Sequence, residues 1–151
     1  MLGIPEETLE NAYETVELNI KIKPDYPRCT ILVPYPGTKV AEYAKEKALL
    51  AAGPDQIRGS SQHIGLSTKN EYLIKNNDIE KLINLHRFFQ TAVIFPSLFP
   101  LIKKLVHLPS NIFFKAWWAI VYFFIYVGGE RRSHKQTLRF ALYNLKTFIG
   151  K

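Results

Sequence analysis

The chain predicts a fragment of an α/β fold followed by a mostly α-helical C-terminal tail, and three observations carry that expectation. A short apolar run, Cys29 to Val33, is stopped by Pro34, Pro36 and Gly37. Strands end this way because proline offers no N–H to a ladder and glycine permits positive φ. Met1-Leu2-Gly3-Ile4-Pro5 has the composition of the last residues of a second buried strand. Between the two lies an amphipathic helix, and a strand-helix-strand order implies parallel pairing through a crossover.

The elements follow in order. Pro5 fits the turn into the first helix, Thr8 its N-cap, and Glu6, Glu7 and Glu10 put negative charge at the positive end of the dipole. Asn11 stands where Glu or Gln would close a capping box, which leaves the box incomplete. Leu9, Ala12, Tyr13, Val16 and Ile20 recur at helical spacing and define one buried stripe. Lys23 to Pro27 is a turn. A second helix is expected over Lys39 to Leu50, with Val40, Tyr43, Ala44 and Lys47 on one side. The Gly/Pro/Ser-rich stretch that follows reads as a linker. Asn77, with Glu80 three residues on, opens a longer helix whose stripe is Ile79, Leu82, Ile83, His86, Phe89 and Val93. Pro96 and Pro100 end or kink it, and Leu101 to Leu108 forms a short basic helix closed by Pro109. Ile112 to Val127 is strongly apolar apart from Lys115, with Gly128-Gly129 as its stop, and Ser133 to Ile149 is a last helix with Leu138, Leu142, Leu145 and Ile149 inward. The resulting organisation is 1–52, an α/β unit; 53–76, a linker; and 77–151, a helical region. Two strands give a crossover helix too little to pack on, so the chain is expected to be part of something larger.

At 47% hydrophobic and 22% charged, the composition excludes a disordered protein. The charge is uneven: residues 1–100 hold 11 Lys/Arg against 12 Asp/Glu, whereas 101–151 hold nine against one, Glu130. The net charge of +7 therefore belongs to the last third. The single cysteine, Cys29, allows no internal disulfide and no Cys-rich metal site, which suits a reducing cytosol, and no signal peptide is visible. His63, His86, His107 and His134 are too scattered for a metal site, and His86 falls on an apolar helical face as a core histidine does. No catalytic residue and no metal ligand is assigned.

Leu2-Gly3-Ile4-Pro5-Glu6-Glu7-Thr8 and Val33-Pro34-Tyr35-Pro36-Gly37-Thr38, one helix apart, resemble the C-terminal part of radical S-adenosylmethionine enzymes. The branch most similar carries a cobalamin-binding domain. Its usual forms are Gly-hydrophobic-Pro-Gly-Glu-Thr and Pro-x-Pro-Gly-Thr; here Glu6 replaces the customary glycine. The resemblance implies that residues 1–52 are the last βα units of a partial TIM-type barrel. It also implies that Gly3, Ile4, Val33, Pro34 and Tyr35 touch the adenosine part of S-adenosylmethionine. The parent chemistry would be radical formation or cobalamin-dependent methyl transfer on an unknown substrate. The family's four-iron, four-sulfur cluster needs a CxxxCxxC loop that this chain lacks, so the chain alone is not expected to cleave the cofactor. Blander roles stand beside these: Thr38 as an N-cap, Glu7 as a dipole partner, Cys29 as a small buried hydrophobe.

The tail carries its own expectation. Ile112 to Val127 would be about 24 Å long as a helix, short of the roughly 30 Å of a hydrocarbon core. Trp117, Trp118, Tyr122 and Tyr126 suit an interface, and Lys103, Lys104, Lys115, Arg131, Arg132 and Lys135 suit anionic lipid. Lying on a membrane surface through residues 101–135, spanning the membrane, and packing inside a complete protein all remain open. Nucleic acid is not expected, because the aromatics form a continuous apolar run rather than alternating with cations. The chain is thus expected to be cytoplasmic, with a peripheral membrane contact, and the competing class is a non-enzymatic membrane-associated helical protein.

Overall fold

A computed structural model describes residues 1–51 and 74–130, with side chains in the last helix described to Ile125. The order of elements is α1 (Leu9–Ile22), α2 (Lys39–Glu46), α3 (Ile79–Ile94), a turn of 3-10 helix (Pro96–Leu98), α4 (Phe99–Leu105) and α5 (Ile112–Glu130). Most of the expected linker, and the helix expected over Ser133 to Ile149 with Arg131, Arg132, His134 and Lys135, lie outside the described residues, as does His63.

The α/β expectation, and with it the partial TIM-type barrel of βα units, is overturned: among the described residues there is no strand. The two extended segments meet at one isolated parallel bridge, Leu2 with Ile31, made by Leu2 N–H to the Thr30 carbonyl at 2.9 Å and Leu32 N–H to the Leu2 carbonyl at 2.8 Å. The parallel sense follows the strand-helix-strand order, but the ladder cannot grow. Gly3 is left-handed (φ 79°) and turns the first segment away one residue past the bridge, while Pro34 removes a donor from the second. The crossover helix finds its packing surface on another helix. Leu9, Ala12 and Val16 of α1 share one core with Leu82, Leu85, Phe88, Phe89 and Ala92 of α3, joined by Leu2, Cys29, Phe99, Ile102, Val106 and Phe114.

Local chemistry sets the helix ends. Thr8 caps α1 by accepting from Asn11 N–H at 3.2 Å, and Asn11 Oδ1 in turn accepts from Thr8 N–H at 3.3 Å. The box expected to be incomplete is closed, because a side-chain amide oxygen reaches as a glutamate oxygen would. Lys23 ends the helix in the left-handed conformation, its N–H on the Asn19 carbonyl. Thr38 caps α2 through Ala41 N–H at 3.3 Å, and α2 stops at Glu46, short of the expected Leu50, because Ala48 is left-handed (φ 54°). Ala41 and Ala44 face inward while Tyr43 is exposed. The cap of α3 is Asp78 rather than Asn77, with no side-chain cap bond, and its carboxylate pairs with Lys81 at 2.6 Å. At the far end, α5 runs through Gly128 and Gly129, which were expected to stop it. Two helical glycines cost only about 1 kcal/mol each relative to alanine.

α3 is the centre. Every residue from Leu82 to Val93 is buried, because α1, α4 and α5 cover it on different sides. The burial includes Asn84, His86, Arg87, Gln90 and Thr91, which one-stripe periodicity leaves partly outward.

Glu6, which stands where the resembled motif has glycine, has φ 62°, a conformation that costs a side-chain-bearing residue about 1–2 kcal/mol. Its carboxylate accepts from the Tyr43 hydroxyl. That bond raises the Tyr43 pKa from its ordinary value, since ionisation would set two anions together. Glu6→Gly is expected to raise stability by about 0.5 kcal/mol, the relieved strain outweighing the added freedom of the unfolded chain. It should also return the Tyr43 titration toward its ordinary value. Urea unfolding and ultraviolet titration check both; a destabilised variant would show that the Tyr43 bond outweighs the strain.

Candidate functional site

The five residues singled out by the resemblance sit at the ends of the two bridged segments. The register of Leu2 with Ile31 sets Gly3 beside Leu32, and a Cβ on Gly3 would lie 3.2 Å from Ile31 Cγ2. Close backbone approach as well as positive φ therefore requires glycine there. Ile4 and Tyr35 each keep 46% of their surface exposed. Val33 is half-buried, and Pro34 is fully buried.

The backbone at these ends is already engaged. Glu7 Oε2 accepts from Gly3 N–H and from Ile4 N–H, the latter at 3.2 Å. The carboxylate fills a small nest of N–H groups that a left-handed residue creates. Glu7 is thus tied into the turn; the Glu7 carbonyl in its own turn accepts from Asn76 Nδ2 at 2.8 Å. Tyr35 N–H donates to the Val33 carbonyl at 3.0 Å. Tyr35 to Thr38 then forms a tight turn, with Pro36 at its second position, Gly37 (φ 84°) at its third and Thr38 N–H on the Tyr35 carbonyl at 3.2 Å. Thr38 Oγ1 donates to the same carbonyl at 2.7 Å, so Thr38 serves the turn and the cap. What these segment ends leave free is two exposed side chains, one apolar and one aromatic, Ile4 and Tyr35.

Cys29, in the second of the two segments, is buried, its thiol pushed up to about 11 chiefly by desolvation. It behaves as a small hydrophobe. The carbonyl of the same residue accepts from His86 Nε2 of α3 at 3.0 Å, a link between this segment and the central helix that the apolar position of His86 gave no sign of. Among the described residues no three His, Cys, Asp or Glu side chains come together as a metal site would require. An open depression of about 350 Å³ beside Asp78, His107 and Pro109 is lined by none of the five candidates.

No family model and no solved structure matches the chain. A 50-residue stretch is 42% identical to an uncharacterised methyltransferase from Pyrococcus horikoshii. The match covers 33% of this chain and 11% of that protein, so the chain spans only a small part of that relative's length.

Proposed function

We propose that this chain forms part of the S-adenosylmethionine-binding wall of a radical S-adenosylmethionine protein of the cobalamin-binding branch, with a methyl transfer as the parent's reaction. The observation that carries the proposal is the parallel bridge of Leu2 with Ile31, which sets the ends of the two family-like motifs side by side. The likeness of one stretch to a methyltransferase supports the same direction.

The residues fit the adenosine part of the cofactor in one respect. Ile4 and Tyr35 offer apolar and aromatic surface for a purine face, above a turn stiffened by Pro34 and Pro36. The N–H groups of Gly3 and Ile4 are held by Glu7, so recognition rests on side-chain coverage rather than on those donors. A four-iron cluster does not fit: it needs three thiolates, and the only cysteine is buried with a raised pKa. The cluster and cobalamin accordingly belong to other parts of the parent, and the contribution of these residues is to bind adenosine and shield it from water.

Equilibrium dialysis of the full chain with S-adenosylmethionine and S-adenosylhomocysteine tests the proposal. Both ligands are expected to bind weakly and alike, since the adenosine is common to them. Ile4→Ser, at an exposed position and without adding a charge beside Glu6 and Glu7, should weaken both by about tenfold. Absence of binding, or binding that Ile4→Ser leaves unchanged, would sink the assignment.

A further inference from the structure

α5 is apolar on both sides. Its inner side packs on α3: Phe114 meets Phe88 edge-on at 4.9 Å between ring centroids, and Trp118 lies 6.0 Å from the His86 ring. Its outer side presents Phe113, Trp117, Ile120 and Phe124, spaced four, three and four residues apart and therefore on one stripe. Phe113 is 79% and Phe124 67% exposed. Lys115, the only charged residue of the helix before Glu130, is two positions from Phe113 and so on the opposite side of the cylinder. It is half-buried toward the body, where desolvation and then the Arg87 charge lower its pKa. The outer stripe thus carries no charge.

The patch does not end with α5. Trp117 Nε1 donates to Thr91 Oγ1 at 2.9 Å, which fixes the indole against the last turn of α3, where Phe95 is exposed. The polar atom of Trp117 is satisfied inward and the ring is left to face outward.

We infer that the outer stripe of α5, Phe113, Trp117, Ile120 and Phe124, docks on an anionic lipid surface with the helix lying in the interface plane. Charge selects the occupant. Residues 101–151 hold nine Lys/Arg and one acid, and no acid precedes Glu130 in that interval. A second copy would carry the same whole-chain net charge of +7 and repel the first. A phosphate-bearing lipid layer answers both features at once, with acyl chains for the stripe and headgroups for the basic tail, of which Lys104 is exposed whereas Lys103 pairs with Glu17 and Lys115 is turned toward the body. Lying flat follows from the packing, because the inner side of α5 is committed to α3. The stripe from Phe113 to Phe124 is about 17 Å long. Among the described residues no helix is long and apolar enough to cross a membrane. The inference is independent of the S-adenosylmethionine proposal.

Flotation of the full chain with phosphatidylcholine vesicles, with and without phosphatidylserine, tests it, read alongside tryptophan emission. Binding is expected to require phosphatidylserine, to fall with added salt and to shift the emission to the blue. The double variant Phe113→Ser, Phe124→Ser changes only exposed side chains and should reduce vesicle partitioning at least tenfold while leaving the circular dichroism spectrum intact. Recovery of the wild type in the unbound fraction overturns the inference. So does equal binding to neutral vesicles, vesicle binding that the double variant retains, or a dimer by sizing that ignores vesicles.

Discussion

Asn84→Leu is expected to destabilise the fold by about 3 kcal/mol, measured as a lower urea midpoint with an unchanged slope. Asn84 is buried at the centre of α3, and its amide does three things. Nδ2 donates to the Val106 carbonyl at 3.2 Å and to the Leu108 carbonyl at 2.8 Å, which closes the C-terminal end of α4. Oδ1 accepts from Arg87 Nη1 at 3.2 Å. Leucine has nearly the same shape and none of these groups. It would leave a buried carbonyl at the end of a helix without its donor, at about 1–3 kcal/mol. It would also remove an acceptor from a buried guanidinium, whose other polar contact includes Ser110 Oγ. The companion variant distinguishes lost packing from lost polar pairing. Asn84→Leu combined with Arg87→Met removes donor and acceptor together, so the pair should cost clearly less than the sum of the single changes. Strict additivity would show that the two side chains are stabilised separately.

This pairing also marks where sequence reasoning stops. The stripe Ile79, Leu82, Ile83, His86, Phe89 and Val93 located α3, and every one of these from Leu82 onward is buried. Periodicity detects one buried side, however, and α3 is covered by α1, α4 and α5 together, so Asn84, Arg87 and Gln90, outside that stripe, are buried as well. Thr8 and Thr38 were readable as caps because a hydroxyl before a helix has a local purpose that no tertiary contact alters. Asn11 was misjudged for the opposite reason: whether its shorter side chain reaches the Thr8 N–H depends on geometry and not on residue class. The strand expectation failed because composition does not show how far a pairing can extend: the bridge of Leu2 with Ile31 is cut short by the left-handed turn at Gly3 and by Pro34. Ile4 and Tyr35 were picked out by resemblance alone; the structure adds their exposure and the capture of the adjacent N–H groups by Glu7.

Acid is expected to remove about 3 kcal/mol of stability between pH 6.5 and pH 4 through His86 alone. The ring is buried between α3, the Cys29 segment and Trp118 of α5, and its pKa is lowered to about 4, first by desolvation and further by the neighbouring Arg87 charge. The bond to the Cys29 carbonyl fixes the tautomer: a carbonyl only accepts, so Nε2 carries the proton. Nδ1 is then a lone pair with no hydrogen-bond partner among the described residues, tolerable while neutral. A second proton would place an N–H and a positive charge where nothing accepts them. In the unfolded chain the same ring titrates near 6.5. Between the two values the unfolded state binds more protons, so stability is full above about pH 6.5, falls as pH drops toward 4, and stops falling through this group below that. The 2.5-unit gap between 6.5 and about 4 corresponds to roughly 3 kcal/mol. Carboxylates add their own acid dependence, so the decisive measurement is a difference. His86→Gln keeps an N–H donor at similar reach toward Cys29 and cannot titrate, and its stability should decline less than that of the wild type over the same interval by that amount. Parallel pH curves for the two proteins would refute the buried neutral histidine and, with it, the packing of α5 over this side of α3.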